Sequence, residues 1–249
     1  MKRSPRLYVE AVPSGDTLDL GGADAHRLRN VLRLSPGDGV RVFNADLGEV
    51  AATIADLGKS RATLRLGARV RAPGAEGGPW LVPAAIKRAP FDHLVEKATE
   101  LGAAAILPIL TERTNVERVN VGRLREIGVA AAEQCERLAP PDIAEPETLR
   151  AKLANWPKDR AILLCAEAGD SLPLAEALAA RDLAAPWAIM TGPEGGFAPG
   201  ELEMLARSPF VIRVGLGPGI LRADTAALAA LAVFQAMSPR GRKPPRAFD

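Results

Sequence analysis

Cysteine is scarce: Cys135 and Cys165 are the only two in the 249 residues. Such a count argues against a secreted disulfide scaffold and against a structural zinc site. His93 has no metal-ligand spacing to any partner, so no metal is expected. Long apolar runs are also missing. The longest, near Ala226 to Ala236, is interrupted by Gln235 and is too short to span a bilayer. Lys2 and Arg3 lead into Ser4-Pro5-Arg6 rather than an apolar run, so no signal peptide and no membrane partner are expected. A cytoplasmic, soluble protein follows as the expectation. No Walker A lysine is present, which removes a P-loop. Gly215-x-Gly217-x-Gly219 lacks the third glycine of GxGxxG and lies too near the C-terminus for a following βαβ unit, which argues against a dinucleotide enzyme.

What is present is ample apolar material, 47% of residues, with 25% charged, enough for a packed core. Charge is unevenly spread. Residues 1–72 hold 12 Lys and Arg against 8 Asp and Glu, net +4, whereas the remainder holds 20 against 22, net −2. A basic N-terminal part on a near-neutral body suggests that the first part meets a polyanion. Residues 1–72 read as a small β-rich unit, with alternation over Val40 to Asn44, Gly48 to Ile54 and Arg61 to Arg71. One amphipathic helix, Asp24 to Arg33, carries Arg27, Arg29 and Arg33 on its polar face, where they can contact phosphates. Pro73 to Pro79 reads as a linker, which divides the chain into 1–72 and 73–249.

The second part alternates strand and helix. Trp80 to Ile86, Ala104 to Leu110, Arg160 to Ala166, Trp187 to Met190 and Phe210 to Val214 read as strands. Phe91 to Leu101, Val121 to Arg137, Leu174 to Ala180 and Asp224 to Met237 read as helices. This spacing predicts an α/β fold, an open and mostly parallel sheet with helices on both faces. The proline- and arginine-rich tail, Ser238 to Asp249, reads as disordered.

Two glycine turns stand out. Ile189-Met190-Thr191 runs into Gly192-Pro193-Glu194-Gly195-Gly196-Phe197, and about 25 residues on Val214 runs into Gly215-Leu216-Gly217-Pro218-Gly219-Ile220-Leu221-Arg222. Each follows a strand and precedes a helix, the arrangement by which α/β proteins present backbone N–H groups to a ligand at the carboxyl ends of strands. Glu133, Gln134 and Arg137 fall on adjacent faces of the Val121 helix. Arg137 either binds substrate or pairs with Glu133 at i,i+4, and the sequence leaves both open.

These stretches, in this order, resemble the SPOUT class of S-adenosylmethionine methyltransferases, and more closely the ribosomal RNA small-subunit methyltransferase E family. Gly192 to Gly196 stands as that family's GPEGG, and Leu216 to Ala226 as its LGxRILRxETA. Gly219 departs from the family's Arg, and Asp224 from its Glu. The resemblance extends through His26 to Val40, Lys97 to Gly102, Thr111 to Thr114 and Glu133 to Arg137. It implies a PUA-like β-barrel ahead of a SPOUT domain with a C-terminal trefoil knot. It also implies S-adenosyl-L-methionine as cofactor, a uridine N3 of 16S rRNA in the small ribosomal subunit as target, and a homodimer in which the last helix contributes to the interface.

Under that reading the cofactor contacts are Met190, Thr191, Gly192, Gly195, Gly196, Leu216, Gly217, Ile220, Leu221, Ala223, Thr225 and Ala226, with Arg113 and Arg137 joining the helix arginines as RNA contacts. Uracil N3 carries a proton and is a poor nucleophile until that proton leaves, so the site needs a base and a cation. Glu194 is the candidate base and Arg222 the candidate cation. A non-catalytic RNA-binding factor and a 2′-O-ribose methyltransferase of the same class are the alternatives.

Overall fold

The computed structural model describes residues 4–116, 118–165 and 171–239. Of the tail, residues 240–249 fall outside the described part; Ser238 within it closes the last helix, donating its N–H to the Phe234 carbonyl. The chain divides into two compact units. One comprises Met1–Glu76 with Ala132–Ala139, and the other Gly77–Ala131 with Pro140–Asp249. The division at Glu76/Gly77 falls inside the Pro73 to Pro79 linker, and a short segment far along the chain groups with the N-terminal part. Sequence proximity could not reveal that, because contacts with Ala132–Ala139 are made only after folding.

In chain order the first unit contains β1 (Arg6–Tyr8), β2 (Thr17–Leu20), α1 (Gly22–His26), β3 (Gly39–Asn44), β4 (Gly48–Leu57) and β5 (Ala62–Arg71). The strands form one five-stranded sheet in the order β1-β3-β4-β5-β2. β3 and β4 make a hairpin in which Asn44 pairs with Gly48 and the Asn44 Oδ1 accepts the Leu47 N–H at 2.6 Å. Inward residues of alternate positions, Leu7, Val40, Val42, Ile54 and Leu64 among them, meet Ala25 and Leu28 in one core. The expected helix over Asp24 to Arg33 is shorter and looser: α1 passes into a π-turn over Arg27–Val31, and Arg33 stands at φ 57°.

The second unit runs β6 (Trp80–Pro83), α2 (Arg88–Glu100), β7 (Ala105–Ile106), β8 (Ile109–Leu110), α3 (Val121–Gln134), β9 (Asp142–Ile143), β10 (Glu147–Thr148), α4 (Leu149–Ala154), β11 (Ala161–Cys165), β12 (Leu172–Pro173), α5 (Leu174–Ala179), β13 (Trp187–Thr191), α6 (Pro199–Ala206), β14 (Val211–Gly215) and α7 (Ala223–Met237). The last residues of α3 belong with the first unit. Seven strands form a sheet in the order β12-β14-β11-β13-β6-β7-β9, every pairing parallel. The expected single strand over Ala104 to Leu110 is split in two at Pro108, which has no N–H to give a ladder.

Both faces of this sheet are covered, as a parallel sheet requires. Leu163 and Ile189 point to the face packed by α2, α5 and α7, through Leu94, Val95, Leu178, Ala230 and Phe234. Their neighbours Ile162, Leu164, Ala188 and Met190 point to the other face, against Leu149, Trp156 and Leu205. That alternation along β11 and β13 decides which side chains reach the site below. No described helix is long and apolar enough to cross a membrane.

Candidate functional site

Three neighbouring parallel strands, β13, β11 and β14, end together at Thr191, Cys165 and Gly215. Their carboxyl ends, with the loop leading into α7, bound an open cleft. It is lined by Cys165, Thr191 and Gly192 on one side and by Leu216, Gly217, Gly219, Ile220, Leu221, Ala223 and Ala226 on the other. The walls are apolar side chains and exposed main chain. Local chemistry explains the backbone shapes. Gly217 stands at φ 113°, a conformation L side chains rarely adopt. At Gly192 a Cβ would lie 2.9 Å from the Phe197 ring, so the aromatic ring occupies the space that glycine leaves.

One polar atom in the cleft is unsatisfied. Thr191 is 2% exposed and its Oγ1 has no hydrogen-bond partner among the described residues. Leaving such a hydroxyl buried and unpaired costs about 1–3 kcal/mol. Buried polar atoms are rarely left so, and one at a ligand cleft fits a group that arrives with the ligand. Cys165 on the same wall is pushed up to about 12 by burial, so its thiol stays protonated and weakly nucleophilic at neutral pH.

Eight of the residues read from sequence as cofactor contacts line this cleft: Thr191, Gly192, Leu216, Gly217, Ile220, Leu221, Ala223 and Ala226. Met190 does not; it is fully buried and turned to the opposite face of the sheet, as strand alternation demands. Gly195, Gly196 and Thr225 are also outside the lining. Cys165 and Gly219 line the cleft but carried no such assignment. The position of Cys165 at a strand end beside β13 was the available signal. Arg222 is exposed, immediately before α7, between the lining residues Leu221 and Ala223. Glu194 is exposed in the preceding glycine loop. The side chains of Arg222 and Glu194 have no hydrogen-bond or ion-pair partner among the described residues, which leaves both free for a substrate. Asp224 accepts the Thr225 N–H at 2.9 Å and so serves the helix start.

The arginines read as RNA contacts separate into two groups. Arg29 and Arg33 are exposed and unpaired among the described residues. Arg27 instead donates to both carboxylate oxygens of Glu133. Arg137 is buried, with its Nε 4.0 Å from a Glu76 carboxylate oxygen. α3 ends at Gln134 and Glu136 turns to φ 63°, so the helix expected to run to Arg137 stops short of it. Arg113 donates to the Gly195 carbonyl at 2.9 Å. Further exposed and unpaired cations lie on β5 and the turn before it: Lys59, Arg61, Arg65 and Arg69. Their alternation within a strand pattern concealed them from the sequence reading. Among the described residues no group of three or more His, Cys, Asp or Glu could hold a metal ion.

Residues 79–235 match the family described as the RNA methyltransferase domain, and residues 20–67 the RNA methyltransferase PUA domain. The chain is 36% identical to the ribosomal RNA small subunit methyltransferase E of Rickettsia conorii, over 91% of this chain and 93% of that protein. It is 35% identical to the protein of the same name from Synechocystis, over 94% of this chain and 76% of that one. Among solved structures, the ribosomal RNA small subunit methyltransferase E of Neisseria gonorrhoeae bound to S-adenosyl methionine is similar at a TM-score of 0.83 and 27% identity, covering 95% and 98% of the two chains. A putative methyltransferase from Legionella pneumophila with bound cofactor SAM is similar to the same degree.

Proposed function

The chain belongs to the ribosomal RNA small subunit methyltransferase E family, and we propose that its cleft binds S-adenosylmethionine and that its target is N3 of a uridine in 16S rRNA. The enzyme is an S-adenosylmethionine-dependent RNA methyltransferase of the small-subunit rRNA. The observation that carries the site is the coincidence of both glycine motifs with one cleft, at the carboxyl ends of parallel strands, holding a buried and unpaired Thr191 hydroxyl. The residues fit the cofactor: Leu216, Ile220 and Leu221 supply apolar walls for a flat base, while Thr191 and the main chain of the two glycine loops supply polar groups.

Bound S-adenosylmethionine supplies an electrophilic methyl group on a sulfonium. The chain's own residues must supply the acceptor chemistry. Arg222, unpaired at the lip of the cleft, would stabilise the charge that develops on the uracil oxygens as N3 loses its proton. Glu194 is the proton acceptor in this proposal. The protonated Cys165 thiol would not compete with RNA for the methyl group. In the first unit, the unpaired Arg29, Arg33, Arg61, Arg65 and Arg69 are the phosphate contacts, whereas Arg27 and Arg137 serve structure. We further propose a homodimer: Ile220 on the cleft wall is 85% exposed in a single chain, and a partner would cover it. A monomeric mass by light scattering at micromolar concentration would contradict that. The expected trefoil knot and a cytoplasmic location stand as part of the same proposal.

The test is to incubate the protein with tritiated S-adenosylmethionine and small ribosomal subunits lacking their native methylations, and to digest the rRNA to nucleosides. Label in 3-methyluridine is the expected result. Label in a 2′-O-methylnucleoside would move the target to ribose. Cofactor binding without incorporation would mean a different RNA, and neither binding nor incorporation would mean a non-catalytic RNA-binding factor.

A further inference from the structure

The glycine loop that ends β13 is held from outside by a short turn that contributes nothing to the cleft lining. The turn is Thr111-Glu112-Arg113-Thr114, which follows β8. It braces itself: the Thr111 N–H donates to the Thr114 Oγ1 at 2.9 Å, and the Thr114 N–H returns to the Thr111 carbonyl at 3.0 Å. Two side chains then tie it to the glycine loop. Arg113 donates through one Nη1 to the Gly195 carbonyl at 2.9 Å. Its aliphatic stem lies over Gly195, whose absent Cβ would sit 3.6 Å from the Arg113 Cβ. Glu201, in the first turn of α6, uses its two oxygens on two different segments: one accepts the Glu112 N–H and the other the Ala198 N–H, each at 2.9 Å.

The connection continues to the cleft. Ala198 is preceded by Phe197, whose ring fills the space beside Gly192, and Gly192 lines the cleft. Gly195 lies within the turn closed by the Gly196 N–H on the Pro193 carbonyl at 2.9 Å. We infer that Arg113 and Glu201 are positioning residues for the cofactor loop, pinning Gly192 to Ala198 in the shape that binds cofactor, and that Arg113 is not an RNA contact. The inference rests on the reading of the cleft as an S-adenosylmethionine site. Two charged side chains spent on backbone groups make the loop rigid before the ligand arrives, so less ordering remains to be done on binding.

Isothermal calorimetry with S-adenosylmethionine, in the absence of RNA, tests this on the full chain. Wild type must bind; if it does not, the cofactor reading fails and the brace is not at issue. Given wild-type binding, Arg113→Ala weakens cofactor affinity about tenfold, the size of losing one charge-assisted hydrogen bond. Arg113→Lys, which can still reach a single carbonyl, restores most of it. Glu201→Ala weakens binding at least as much as Arg113→Ala, and Glu201→Gln, which keeps one acceptor oxygen, falls between. With saturating cofactor the Arg113→Ala enzyme recovers its kcat, so the loss appears in KM for the cofactor, and its affinity for 16S rRNA by filter binding is unchanged. Arg113→Ala with wild-type cofactor affinity overturns the inference. So does weakened rRNA binding with cofactor affinity intact, which would make Arg113 the RNA contact that its sequence context suggests.

Discussion

Two buried polar side chains, one in each unit, are treated in opposite ways. In the first, Arg6 is buried yet complete: its five N–H groups go to both Glu49 oxygens and to the carbonyls of Ala132, Glu133 and Arg137, at 2.9–3.2 Å, while its guanidinium stacks 3.8 Å from the Phe43 ring centroid. In the second, Thr191 is as deeply buried and its hydroxyl has no hydrogen-bond partner among the described residues. A satisfied buried charge holds one segment to another. An unsatisfied buried hydroxyl beside a cleft fits the polar group of an arriving ligand. Burial alone therefore does not separate structure from function; an unpaired hydroxyl and a place on the cleft wall together single out Thr191.

The largest effect should come from breaking the complete network. Arg6→Ala leaves Glu49 buried with only the more distant Arg41, 3.5 Å away, and should lower stability by about 3–5 kcal/mol in urea denaturation. A loss under 1 kcal/mol would mean the pair is not the tie it resembles. Next is Arg222→Ala, which should cut methyl transfer by about 10²–10³ in kcat while leaving cofactor affinity nearly unchanged, because the charge it stabilises exists only during reaction. Gly192→Ala drives a Cβ to 2.9 Å from the Phe197 ring and should weaken both stability, by about 1–3 kcal/mol, and cofactor binding; Phe197→Leu in the same chain should recover part of each.

Thr191→Val sharpens the comparison most directly. It removes the unpaired hydroxyl while keeping the shape, so the free protein should melt at or slightly above the wild-type temperature while cofactor binding weakens. A fall in stability would show that the hydroxyl already has a partner. The smallest effect concerns pH. The folded Cys165 thiol is raised to about 12 by burial from an ordinary 9.0. Its neutral form is favoured by folding, so the stability it contributes is present below about pH 9 and is lost as pH rises toward 12. Cys165→Ala should accordingly show a shallower decline in melting temperature above pH 9 than wild type, with the difference between the two constant at neutral pH.

Much of this was legible in the chain. β3 is found within one residue of where alternation placed it, and the strands that end in the glycine turns differ by a residue at their ends. Eight of twelve cofactor assignments line the cleft because a motif names neighbours, and neighbours at the end of a strand reach the same space. Met190 stays outside the lining for the opposite reason: adjacent strand residues face opposite ways, and proximity in sequence says nothing about which face. The arginines are a different case. Arg27, Arg29 and Arg33 are alike as residue types, yet only the fold brings Glu133 from more than a hundred positions away to occupy Arg27.

By itself the sequence determined the α/β class of the second part, the β character of the first, and the two glycine turns, because periodicity and turn chemistry are local properties of the chain. Only the tertiary structure decided that Ala132–Ala139 belongs with the N-terminal unit, that Cys165 joins the cleft wall, and which arginines are spent on carboxylates and carbonyls. Those outcomes depend on pairings across long stretches of chain, where a donor's partner is set by the packing of other elements rather than by anything beside it in sequence.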